Sequence, residues 1–325
     1  MKLHHGNNEK LFFSKIKNLG DEFEMKKRKV SQIFFAEHPD QGKKCWIRLS
    51  DCNFDCKGCF ATYVGKQEIG RSLSTEELTN LILKYDKKID RMVITGGEPL
   101  LDENYLINLI KKSKENFINK FEIHTNAYLL NENLLKKLSN LNVDVLFSAD
   151  IKAFDDNIHK KYTGKSNANV LKAISLLSEY KDSLYKDNPS FIVNTPLMPG
   201  VVDTDEIEKT AKFLSETDEN VCYRIAQFLD QFLPSNERNL TRTPTFEEMI
   251  NAYNVARKHL DYVIIDTYLP TGLEHNYKNI IPDELLDTFK EFDKKYKSVI
   301  ESRKVQYLTM DQLINSVDDG YAKKQ

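Results

Sequence analysis

Several familiar signals are missing from this chain. Five cysteines in 325 residues are too few for a disulfide scaffold at this length. No window approaches the ~20 uncharged apolar residues of a membrane-spanning helix. Neither sign of charge dominates: 47 Lys and Arg stand against 49 Asp and Glu, a net −2. That balance speaks against a protein that lives on nucleic-acid phosphates, which shows a basic excess or stripe. Residues Met1 to Gly20 lack an apolar h-region with a small-residue cleavage site, so a cytoplasmic location is expected. There is also no repeat in the ~20–50-residue range, no low-complexity tract and no Gly/Ser linker. With 40% hydrophobic residues, 18 Phe and 15 Tyr, the chain has the apolar content of a packed core.

Short apolar runs alternate with amphipathic stretches. Strands are expected at Cys45–Leu49, Arg91–Thr95, Phe121–Thr125, Val143–Ser148, Phe191–Asn194, Val221–Phe228 and Tyr262–Asp266. Helix starts are signalled by Ser74 with Glu77, Asp203 with Glu206 and Thr245 with Glu248, each a capping-box spacing. Strands separated by helices want parallel pairing, because a parallel crossover needs a dozen or more residues. Six or seven such units predict an α/β fold, a partial or near-complete parallel (β/α) barrel over residues 44–270. Residues 1–43 read as an N-terminal extension. Residues 271–325 read as a helical C-terminal extension, with helices at Pro282–Glu301 and Thr309–Val317.

Three of the five cysteines crowd into Cys52-Asn-Phe-Asp-Cys56-Lys-Gly-Cys59, directly after a predicted strand. Three thiolates on one tight loop can hold three irons of a 4Fe–4S cluster and leave the fourth without a protein ligand. The competing zinc site would need Cys45, Cys222 or His124 as fourth ligand. Zinc favours paired spacings, and no second Cys pair is present. The next strand ends in Thr95-Gly96-Gly97-Glu98-Pro99, where two glycines let backbone groups approach a ligand closely.

The two motifs together resemble the radical S-adenosylmethionine superfamily, whose signature is this cysteine motif followed by a Gly-Gly-Glu-Pro-like strand end. The resemblance implies that Cys52, Cys56 and Cys59 ligate a 4Fe–4S cluster whose open iron chelates S-adenosylmethionine. Gly96 and Gly97 would line the methionine amino group, and Glu98 would fix the loop. The family usually has an aromatic residue just before the last cysteine, beside the adenine. Here that position is Gly58, whose carbonyl can still meet the adenine, and Phe60 stands as the substitute ring. The implied chemistry is reductive cleavage of the cofactor to a 5′-deoxyadenosyl radical, which abstracts hydrogen from a substrate. A reductant such as flavodoxin or ferredoxin would supply the electron. Barrels place reacting groups at strand C-terminal ends. Those positions are Thr125, Asn126, Ser148, Asp150, Lys152, Asn194 and Gln227.

Within the superfamily, Asp150-Ile-Lys152, His159…Thr163-Gly164, Thr125-Asn126, Met198-Pro199-Gly200 and Thr243-Pro244-Thr245 resemble, in order, the activating enzymes of glycyl radical enzymes. That resemblance implies a monovalent cation at Thr125 and Asp150, the methionine carboxylate on Lys152, and a glycyl radical enzyme as partner. The chain departs from the pattern at three places. His124 stands where such activases have Asp, Asn194 where the fifth strand should offer Arg, and no His follows the sixth strand. Three functions follow: an activase-like enzyme, a stand-alone radical enzyme acting on a small metabolite, nucleotide or peptide, and a non-catalytic metal-binding module. Cys222 is the only cysteine after Cys59, so an auxiliary cluster with its usual cysteine set cannot be built from this chain.

Overall fold

The computed structural model describes residues 26–38, 42–59, 61, 69–237, 239–266, 275–281, 287, 290 and 303–310. Eleven strands form one sheet. β1 (Arg28–His38), β2 (Gly42–Leu49) and β3 (Arg71–Leu73) open it, followed by helix α1 (Thr75–Tyr85) and β4 (Arg91–Gly96). Then come α2 (Glu103–Glu115), β5 (Lys120–Thr125), α3 (Glu132–Ser139) and β6 (Asp144–Asp150). α4 (Asp156–Thr163) and α5 (Ala168–Leu184) lead to β7 (Ile192–Leu197), and α6 (Thr204–Thr217) leads to β8 (Cys222–Gln227). α7 (Phe246–Ala256) precedes β9 (Val263–Asp266), and β10 (His275–Ile281) and β11 (Arg303–Thr309) complete the set.

The strand order is β11-β10-β1-β2-β4-β5-β6-β7-β8-β9, with β3 beside β1. From β2 to β9 every neighbouring pair is parallel. The curved parallel stretch is an open barrel whose two ends do not pair with each other. All seven strands expected from apolar content are present, each shifted by no more than a few residues at its ends. Alternation along them divides the side chains. Ile47, Leu49, Met92, Ile94, Phe121, Ile123, Val145, Phe147, Val193, Tyr223 and Ile225 are buried in the hydrophobic core. The intervening positions line the lumen, among them Trp46, His124, Asn194 and Arg224.

The helix starts differ in an instructive way. Ser74 and Thr245 form complete capping boxes with Glu77 and Glu248. Asp203 precedes α6 but makes no side-chain cap. Its Oδ1 accepts from the Gly200 amide (2.8 Å), while buried Glu206 accepts from the amides of Phe154 (2.9 Å) and Asp155 (2.7 Å). The spacing marked the helix correctly, but its carboxylate serves the loop that follows β6.

The sheet crosses both boundaries drawn from composition, at 44 and at 270. β1 is the antiparallel partner of β2, from Val30 opposite Leu49 to His38 opposite Gly42. β10 pairs antiparallel with β1 and β11 runs parallel to β10. The tail, read as helices, therefore contains two strands. Of the expected helix Pro282–Glu301, only Asp287 and Lys290 are among the described residues, and both are helical. In the expected helix Thr309–Val317, Thr309 ends β11, Met310 is helical and the rest lies outside the described residues. Short segments such as His275–Ile281 carry too few residues for either periodicity to prevail, and long-range pairing decides. Among the described residues no helix is long and apolar enough to cross a membrane.

Candidate active site

At the C-terminal ends of β2, β4, β5, β6, β7 and β8 the chain surrounds a cavity of ≈ 330 Å³. Cys52, Cys56, Gly58, Cys59, Gly96, Gly97, Thr125, Asn126, Asp150, Lys152 and Asn194 all line it. Glu98 and Ser148 do not; both are buried behind the wall. Phe60 lies outside the described residues.

The cysteine loop follows β2 and is held from two sides. Its backbone docks on the last turn of α4, with Asp55 N donating to Thr163 O (2.8 Å) and Lys57 N to Tyr162 O (3.1 Å). Phe54 packs edge-on against Tyr128 and His159 at ring separations of 5.6 and 5.5 Å. His159, Thr163 and Gly164, which the sequence ties to the site, thus act as its support. On the other side the Gly-Gly loop is joined to it by Gly97 N to Leu49 O and Glu98 N to Asp51 O, both 2.7 Å.

Gly96 has φ +118°, and a Cβ there would lie 2.1 Å from Leu49 O and 2.4 Å from Leu49 N. The position demands glycine because the β2 backbone passes against it. Gly58 is also left-handed (φ +68°), and a Cβ on it would meet the Phe228 ring at 2.7 Å. An aromatic ring from outside the motif therefore stands beside Gly58: Phe228 follows β8, is buried and lines the cavity. Sequence reading could not find it, since the two positions are remote in the chain.

Glu98 ties the loops together. Its carboxylate accepts from Thr125 Oγ1 (2.6 Å), Asn126 N (2.7 Å) and Leu100 N (2.9 Å). Burial pushes its pKa up to about 7, against the pull of those donors. Arg28, from the stretch read as an extension, donates to Pro99 O (2.9 Å), Ser50 O (2.9 Å) and Glu98 O (3.1 Å). It too was missed, because its three acceptors belong to distant segments.

Asn126 Nδ2 donates to Asn53 Oδ1 (2.7 Å) and reaches Cys52 Sγ at 3.6 Å. Burial raises the Cys52 thiol to about 11. Asp150 and Lys152 pair at 2.8 Å. Burial alone would lower the Lys152 pKa, but Asp150 and the Cys56 and Cys59 sulfurs raise it above its ordinary value. Asn194 Nδ2 donates to Ser148 Oγ (3.0 Å) and Ala149 O (3.2 Å). Ser148 is therefore a support for Asn194. His124 points Nε2 at Glu122 (2.7 Å) and meets Trp46 edge-on. Burial alone would raise Glu122, yet His124 and Lys44 hold it down at about 2.

The donor set suits an iron–sulfur cluster. None of the five cysteines is in a disulfide. The three motif thiols border one cavity with an N–H donor beside a sulfur, the kind of contact that tunes such clusters.

Residues 46–214 match the family model of the Radical SAM superfamily. A Methanocaldococcus jannaschii protein, whose name places it provisionally among glycyl-radical enzyme activating enzymes, is 35% identical over 72% of this chain and 86% of its own. The pyruvate formate-lyase-activating enzyme of Staphylococcus epidermidis is 29% identical over 51% of this chain and 67% of its own. Among solved structures, Streptococcus suis SuiB bound to S-adenosylmethionine shares the fold with a TM-score of 0.54. It is 14% identical, and the match covers 84% of this chain and 60% of SuiB. The chain belongs to the radical SAM superfamily. Its relatives include activating enzymes, and the family brings a 4Fe–4S cluster and S-adenosylmethionine as cofactors.

Two substitutions separate scaffold from ligand contact. Gly96→Ala is expected to abolish soluble folding or lower the melting temperature strongly, because backbone must move. Gly97→Val should fold yet bind S-adenosylmethionine more weakly, since a β-branched side chain enters the cavity. Equal binding by Gly97→Val and the parent, measured by equilibrium dialysis, would make the second glycine structural only.

Proposed function

We propose that this chain is an activase-like radical enzyme: Cys52, Cys56 and Cys59 hold the cluster, and the cavity they border holds S-adenosylmethionine. When bound, these groups supply the 5′-deoxyadenosyl radical that abstracts hydrogen from a substrate. The residues bind and orient. Gly96 and Gly97 present backbone to the methionine amino group, Lys152 meets its carboxylate, and Asp150, Thr125 and Asn126 border the remainder. The observation that carries this reading is the convergence of the three thiols, the Gly-Gly turn and the Asp150–Lys152 pair on one cavity at the strand ends. The hydrogen donor under this reading is a glycine of a partner enzyme, with a flavodoxin- or ferredoxin-type reductant. Support comes from the relatives named as activating enzymes. Anaerobic reconstitution with a reductant should yield 5′-deoxyadenosine and methionine. A glycyl radical signal in the partner would identify the activase, and absence of any cofactor cleavage would refute the enzyme reading.

A second reading, a stand-alone enzyme for a small substrate, is favoured by the lumen, where Asn194 and Arg224 stand beside one another in the cavity wall and Arg224 also borders a second cavity. The cation implied at Thr125 and Asp150 meets competition in either case. Thr125 Oγ1 is committed to Glu98 and Ala127 N, and Asp150 already binds an ammonium. Cofactor cleavage should therefore change little between sodium and potassium. Asp150→Asn and Lys152→Met should weaken S-adenosylmethionine binding about tenfold or more in protein that still folds, because the pair faces the cavity. Parent-like binding in both variants would remove this pair from the cofactor site.

A further inference from the structure

A second cavity, ≈ 950 Å³, continues from the first through the barrel lumen toward the N-terminal ends of the strands. His124, Arg224 and Asp266 border both. Leu146, Tyr185 and Ile192 form an apolar patch in its wall, packed with Cys222 behind them, and Trp46 and Ile264 stand there too, while Asp90, Lys120 and Asp187 make its far end charged.

The cations lining it are not equivalent. Lys44 is matched by Glu122 at 3.3 Å, and Arg91 donates to the Tyr185 hydroxyl at 3.1 Å. Arg224 has, among the described residues, neither a carboxylate within ion-pair reach nor a hydrogen-bond acceptor. A half-buried guanidinium has five donors and a strong preference for a planar oxyanion. Directly beside it in register on β7 is Asn194, whose Oδ1 is buried without a partner. Asn194 borders the cofactor cavity alone, so of the two it is Arg224 that faces the second cavity. Lys152, whose charge is felt by Cys56 and Cys59, is the ammonium on the cluster side. Arg224 acts instead on Cys222, in the apolar lower cluster.

We propose that the lumen below the cofactor cavity is the binding chamber of a small organic anion, with its carboxylate or phosphate on Arg224 and an apolar or planar body against Trp46 and Ile264. The proposal rests on the second reading above and names its substrate class. The chain has one tryptophan, and it is Trp46 in the chamber wall, so intrinsic fluorescence reports occupancy directly.

The test titrates the reconstituted full chain, saturated with S-adenosylmethionine, with benzoate, phenyl phosphate and neutral benzamide. At least one anion should give a saturable change in Trp46 emission, with benzamide about tenfold weaker or silent. Benzoate ahead of phenyl phosphate assigns a carboxylate head, and the reverse order assigns a phosphate. Arg224→Gln should weaken the anion about tenfold and leave benzamide unchanged. Arg224→Lys, which keeps the charge without the fork, should fall between, and it decides the matter if the Gln variant does not fold. No saturable response to either anion, or an unchanged response in both variants, overturns the proposal. A tenfold loss of S-adenosylmethionine affinity in Arg224→Gln would place Arg224 on the cofactor and overturn it equally. Cofactor cleavage assayed on the same samples fails only if the radical-enzyme reading fails, so the two are told apart.

Discussion

Alanine at Cys52, Cys56 or Cys59 should each remove the brown chromophore, drop iron from about four per chain toward zero, and abolish 5′-deoxyadenosine formation. The reason is the shared cavity: with only three thiolates in the motif, loss of one leaves two irons without protein ligands. Alanine at Cys45 or Cys222 should retain the cluster. Cys45 is wholly buried within β2, where burial raises its thiol well above the ordinary value, and Cys222 packs behind the apolar patch of the lumen wall. Those two variants test packing: each removes only a small buried side chain and should cost about 1–2 kcal/mol. Full iron loading in a Cys56→Ala protein, measured by metal analysis with sulfide, would overturn the cluster assignment. Zinc in place of iron would restore the structural-site reading.

The parallel core was legible because each strand combines apolar residues with a polar C-terminal end, and the site residues cluster at those ends. The cysteine and Gly-Gly motifs are local, so spacing alone exposed them. Arg28, Phe228 and Arg224 left no such trace. Arg28 tethers carbonyls of Ser50, Glu98 and Pro99 from a strand before β2, and Phe228 fills the space above Gly58 from beyond β8. Arg224 sits between apolar residues of β8, and its meaning depends on the lumen that the neighbouring strands enclose. These are long-range juxtapositions, fixed by register and barrel curvature rather than by neighbours in sequence. The Asp203–Glu206 spacing shows the converse: a local pattern located a helix, while the tertiary fold redirected both side chains.

Removing the Glu98 carboxylate should be among the most destabilising single changes outside the cysteines. Glu98→Ala leaves the amides of Leu100 and Asn126 and the Thr125 hydroxyl without their acceptor in a fully buried position. At ~1–3 kcal/mol per orphaned donor, the expected loss is on the order of 3–5 kcal/mol, or roughly 5 °C in melting temperature for a chain of this length. The Gly97 and Asn126 loops lose their common tie, so S-adenosylmethionine binding should weaken in parallel. Glu98→Gln tests the charge apart from the shape. Burial raises the folded-state pKa of Glu98 to about 7 from an unperturbed 4.5. A raised carboxyl favours folding while protonated: its contribution is complete below about pH 4.5 and is lost as pH rises through about 7. The span is of order 3 kcal/mol, taking ~1.4 kcal/mol for each pH unit between those values. The non-titrating Gln variant should therefore be most destabilised relative to the parent near pH 5, with the gap narrowing steadily toward pH 8. Denaturant unfolding at pH 5, 6, 7 and 8 reads this directly. A gap that stays constant across the series would mean that Glu98 is ionised throughout and that its three donors, rather than its burial, set its charge.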